Sequence, residues 1–218
     1  TTLSTYEDMV KEQIANINKT LSKPSSNSIR TKGKVFTFPD GRTATGPIEV
    51  VILGYTAANL YYGKAVYDAS NPKPPVCFAI NEIVGDLKPS KNSTEPQSEK
   101  CEGCAQNEWG SSPIGRGKAC KNGINLAVVA PDALADTSPM LLTISPTGTK
   151  GFENYVRNLT NELQALPMRV ITEVSFNPNE AYPTLVFSEP RLHDNLEVVL
   201  GLLPKAKELL SKEPRTEY

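Results

Sequence analysis

No stretch of this chain approaches the roughly 18 uninterrupted apolar residues that a membrane-spanning helix needs. The N-terminal segment mixes acidic and basic residues without an apolar core, so it does not read as a secretory signal. Histidine is nearly missing, His193 being the only one. It lies in a helical pattern far from the cysteines and reads as a surface or cap residue, and no Ser/His or Cys/His pair stands out for nucleophilic catalysis. An excess of either charge is missing too: 23 lysines and arginines face 24 acids, a net charge of -1. Nothing global attracts a polyanion, and any affinity for nucleic acid must come from a local basic surface. The phosphate loop G-x-x-x-x-G-K-[ST] is absent, and acids such as Asp132, Asp136 and Glu173 lack a spacing that calls for a metal. The chain reads as a non-enzymatic protein.

What is present supports a real core. At 218 residues with 39% apolar side chains, a folded chain buries about 70% of its unfolded surface. Tyr6, Val10, Ile14, Ile17 and Leu21 recur at helical spacing and predict an amphipathic helix over 5–22. After a polar linker the period changes to two. Segments 34–38, 48–58, 59–67, 77–80, 125–130 and 140–145 are β-branched or aromatic, separated by Gly, Pro and Asp, and predict an antiparallel meander. Phe152, Tyr155, Val156, Leu159, Leu163 and Leu166 predict a helix, 169–176 and 184–189 a strand pair, and 190–212 a C-terminal helical segment kinked by Gly201 and Pro204. The class is α+β, in one domain over 1–218.

The sheet pattern is interrupted by a polar excursion that holds all four cysteines, spanning 77–122. Cys101 and Cys104 form a C-x2-C pair, with Cys77 before it and Cys120 after it. Four thiolates make a closed tetrahedral zinc site, structural because no position is left for water. Two disulfides, or a C-x2-C redox pair beside two other thiols, are the competing readings. Arg116, Lys118 and Lys121 follow in GRGKACKN, where they either contact phosphate or neutralise thiolate charge. The only tryptophan, Trp109, lies in the same excursion, and Tyr61 and Tyr62 stand side by side in a strand, so one is expected in the core and one outside.

The order PPVCFAI, QSEKCEGCAQNEWGS, GRGKACKN and NLAVV, over residues 74 to 129, resembles a family of bacteriophage single-stranded DNA-binding proteins. That resemblance implies an OB-like antiparallel β-barrel with an inserted zinc-binding module, to which the periodicity adds flanking helices. It implies Cys77, Cys101, Cys104 and Cys120 as ligands of a structural zinc. It implies single-stranded DNA as partner, together with replication or recombination proteins, in the cytoplasm of an infected bacterial host. The expected DNA contacts are Lys34, Arg116, Lys118 and Lys121 on phosphates, with bases stacked on Tyr61 or Tyr62 and on Trp109. The alternative is a zinc-stabilised protein–protein interaction module of a replisome or virion. Many single-stranded DNA-binding proteins end in an acidic tail, whereas this chain ends KEPRTEY.

Overall fold

The computed structural model describes residues 6, 8–10, 13, 27–63, 73–132, 134 and 137–214. Of the expected N-terminal helix, the five described residues are helical and exposed, and the rest lie outside the described residues. The architecture is mixed α and β, built on a seven-stranded sheet that curls into half a barrel.

In chain order the strands are β1 (Ser28–Ile29), β2 (Phe36–Thr37), β3 (Thr43–Ala44), β4 (Ile48–Tyr61), β5 (Cys77–Asn81), β6 (Lys121–Val129) and β7 (Met140–Ile144). Helix α1 (Thr149–Glu162) follows, then β8 (Val170–Phe176), β9 (Leu185–Leu192) and helix α2 (Leu196–Leu210). The sheet runs β1-β7-β6-β4-β8-β9, while β2 and β3 form a separate hairpin. Every ladder is antiparallel except the two-residue pairing of β1 with β7.

Strand β4 organises the rest. Sequence reading divides it at Ala58, but no turn residue separates Ala58 from Asn59, and the strand runs unbroken for 14 residues. One edge pairs with β6 along most of its length; the other pairs with β8 at its start and β5 at its end. A bulge between Ile52 and Gly54 inserts an extra residue, which bends a strand and increases its twist. It also changes which residues face which side. Before it, Ile48, Val50 and Ile52 pack with Phe152, Tyr155 and Leu159 of α1. After it, odd-numbered Tyr55 meets Phe152 edge-on, with ring centroids 5.2 Å apart.

Both faces of the sheet centre are thus covered. Val51 and Leu53 pack under Val199, Leu202, Ala206 and Leu210 of α2, each fully buried aliphatic side chain stabilising the fold by roughly 1.5–3 kcal/mol. The C-terminal segment differs from expectation in two ways: residues 190–192 belong to β9, and α2 continues through Gly201 and Pro204. Proline removes one hydrogen bond to the carbonyl four residues back, here that of Leu200. Leu200, Gly201 and Pro204 all lie on the exposed face of α2, so the freed carbonyl is on its solvent side. At the other sheet edge, β9 carries Pro190 and a left-handed Glu189 at φ 48, both of which deter pairing with another chain.

Candidate metal centre and nucleic-acid interface

The polar excursion leaves the sheet after β5 and returns at β6, so Cys77 is fixed by the sheet itself and Cys120 immediately precedes it. Cys77 pairs with Tyr61 in the β4–β5 ladder. Leu60 pairs with Lys121, which sets Cys120 beside Tyr61 on the other side. The remaining two come from the loop, where Gly103 takes φ +72, a conformation open to glycine, and turns the chain between Cys101 and Cys104. The Cys101 N–H donates to Leu87 O at 3.0 Å, and the Asn107 side-chain amide donates to Cys101 O at 2.9 Å.

All four cysteines are free thiols and line one cavity of about 20 Å³ together with Tyr61. Burial, then the other three cysteines, push the Cys120 thiol up to about 12, against the pull of Lys118. Burial also raises the Cys101 thiol, while a hydrogen bond from Asn59 opposes it. Thiols so placed hold their protons unless a metal displaces them. Among the described residues no three Cys, His, Asp or Glu side chains are gathered tightly enough to hold a metal as they stand. Cys77 and Cys120 approach from the two sides of β4, their backbones about two strand spacings or about 9.5 Å apart. In kind, the donor set is that of a tetrahedral thiolate site, with four sulfurs facing one space. In geometry, the sulfurs must close inward to meet a common ion.

Beyond the cysteines the loop folds on its own polar contacts. The Cys120 N–H donates to Gln106 O at 2.8 Å, and the Ser111 hydroxyl oxygen accepts from the Ala119 N–H while its own O–H reaches Gln106 O. The result is a knuckle whose outer surface carries Trp109, 79% exposed, and Ile114, 63% exposed. Lys118 Nζ lies 5.9 Å from the Trp109 ring centroid and 3.4 Å from Asn107 Oδ1. Lys121 Nζ donates to Lys118 O at 3.1 Å, and Arg116 is exposed one turn away. Trp109, Arg116, Lys118 and Lys121 are therefore brought together on one knuckle.

Two expected contacts are placed elsewhere. Lys34 Nζ donates to Asn177 O at 3.1 Å, in the β8–β9 connection. That connection lies at the Ile48 end of β4, on the order of 40 Å along the strand from the Tyr61 end. Lys34 is occupied there and does not join the cluster. Tyr61 is the buried member of the tyrosine pair at 4% exposure, its ring against the cysteine cavity, whereas Tyr62 is 39% exposed. Burial, then the charge of Glu95 and the cysteines, raises the Tyr61 phenol above its ordinary range.

Sequence reading missed a cleft of about 390 Å³ between the knuckle, the sheet and the start of α1. Its lining includes Asn59, Asn122, Ile124, Glu102, Lys118 and Glu153. Asn59 and Asn122 are neighbours only through the β4–β6 register, so nothing in their local sequence marks them. No protein-family model matches the chain, and no curated protein or solved structure matches it either.

Proposed function

We propose that this chain binds single-stranded DNA in phage replication or recombination, acting without catalysis, on an OB-like scaffold with a structural zinc in its inserted module. The observation that carries the reading is the exposed Trp109 ring with Lys118 beside it, at the edge of a cleft and on a knuckle that also holds Arg116 and Lys121. An exposed aromatic with adjacent cations is the combination that sequence-tolerant binding of single strands requires, because every base has a face to stack and every nucleotide a phosphate. The scaffold agrees with an OB-like reading in its curled antiparallel sheet and its long strand β4, which bridges two neighbours on one edge. The zinc would be held by Cys77, Cys101, Cys104 and Cys120, drawing the loop cysteines onto the two sheet positions and fixing the knuckle.

The roles divide by chemistry. Trp109 stacks on a base, while Arg116, Lys118 and Lys121 neutralise phosphates, and Tyr62 offers a second partly exposed ring. A second reading is favoured by one observation, the exposure of Ile114 beside Trp109, since an apolar tip also suits docking on protein. The two separate on salt dependence. Each phosphate contact on a single strand contributes about 0.7 to the slope of log affinity against log salt. Replacing Lys118 and Lys121 together by Ala is expected to flatten that slope by about 1.4 and to weaken binding at low salt. An unchanged slope would remove both lysines from the interface.

A further inference from the structure

The cleft beside the knuckle has a polarity that the phosphate-binding surface lacks. Its lining includes the apolar Ala57, Leu87 and Ile124, and among the described residues Lys118 is the one cation on it. Its lining also carries acceptors. Asn122 Nδ2 donates to Asn59 Oδ1 at 2.7 Å. This bond orients both amides and leaves Asn122 Oδ1 open to accept, on a residue that lines the cleft. Glu102 and Glu153 add two carboxylates. Such an interior repels phosphate, which stays at the Lys118 lip, and suits a flat apolar group bearing N–H donors.

Resting on the single-strand reading above, we infer that this cleft takes one base of the bound strand out of the stack and prefers a base with an exocyclic amino group, cytosine or adenine, over thymine. A carboxylate or amide oxygen accepts from the two N–H groups of an exocyclic amino group, whereas thymine and uracil offer one donor, N3–H, flanked by two keto oxygens that face the acceptors as like partners. The volume suits one planar ring with room for its sugar at the mouth. The protein would then be tolerant along most of the strand and selective at one nucleotide. Trp109 at the knuckle and the base in the cleft would sit on either side of Lys118.

The test compares two alternating oligonucleotides of about 30 nucleotides, d(TC) and d(TU). They differ at every second pyrimidine in the amino or keto group at C4 and in the N3 atom beside it, an acceptor in cytosine and an N–H donor in uracil. Binding of the full chain to d(TC) is expected to be tighter by at least about fivefold. Asn122→Leu, which removes the acceptor, is expected to bring the ratio close to one, and Glu102→Gln, at an exposed position, to reduce it independently. Equal binding of both oligonucleotides by the unaltered chain would overturn the cleft assignment and leave the single-strand reading standing. A preference that survives both substitutions would overturn it too, by placing the discrimination elsewhere. Failure to bind either oligonucleotide would bring down both inferences together. Should Asn122→Leu unfold the chain, Glu102→Gln alone decides.

Discussion

Removal of zinc from the purified protein is expected to release about one metal ion per chain and to expose four reactive thiols, those of Cys77, Cys101, Cys104 and Cys120. The magnitude follows from where folding free energy comes from in residues 82–120. That stretch buries few apolar side chains, chiefly Leu87 beside Ala79 and Cys101, and is otherwise held by loop hydrogen bonds. Such a segment gains too little from burial to offset its chain entropy. Apparent zinc-binding free energies of about 10–16 kcal/mol in small thiolate modules exceed anything those hydrogen bonds supply. The chelated protein is therefore expected to lose the knuckle while the sheet, whose two cores cover its centre and are separate from the small cluster under the knuckle, stays folded. Cys104→Ser is expected to do the same and to weaken single-strand binding more than tenfold. Metal analysis, thiol titration and near-ultraviolet dichroism read these effects. Absence of metal together with absence of free thiols would instead identify two disulfides.

The second large effect belongs to Trp109. Replacing it with Ala is expected to weaken single-strand binding by about 1–3 kcal/mol, or roughly 5- to 150-fold. At 79% exposure the indole contributes little to the fold, so the melting temperature should not move. Trp109→Phe keeps a ring and is expected to recover most of the affinity. Because the chain has one tryptophan, its fluorescence reports on this site alone, and stacking of a base on the ring should quench it. Binding without quenching would move the contact away from the knuckle and onto another surface, with Tyr62 the next ring to test.

The degree to which the site was legible in the sequence depends on the kind of information each residue carries. The period-two pattern assigns most of the strands, and the 3.6 period locates α1, because burial on one face leaves a local trace. The adjacency of Tyr61 and Tyr62 predicts that one is inside and one outside, as their exposures show. Which is which depends on the bulge at Leu53, since a single inserted residue reverses every face beyond it. The cluster of Trp109, Arg116, Lys118 and Lys121 was legible because those residues are close along the chain. Lys34 was not separable from them, because its distance is a matter of which end of β4 it reaches. The Asn59–Asn122 bond was invisible for the same reason: it exists only through a ladder that joins residues 63 apart.

The cysteines combine the two situations. Their number, spacing and polar setting mark one chemical unit, and the structure lines a single cavity with all four. What spacing cannot convey is that Cys77 belongs to β5, opposite Tyr61, and that Cys120 immediately precedes β6 on the other side of β4. The loop pair must then move toward the sheet pair for four sulfurs to share one ion. Metal binding would in that case be coupled to the position of the knuckle, and hence to the distance between Trp109 and the cleft.

The measurement that tests the central claim most directly is fluorescence anisotropy of a labelled single strand of about 30 nucleotides, titrated with the zinc-loaded protein at low and high salt in the presence of excess duplex. The account predicts tight binding that weakens steeply with salt and that duplex does not displace. No binding at low salt, or equal displacement by duplex, would contradict it and leave the knuckle as a protein-docking surface.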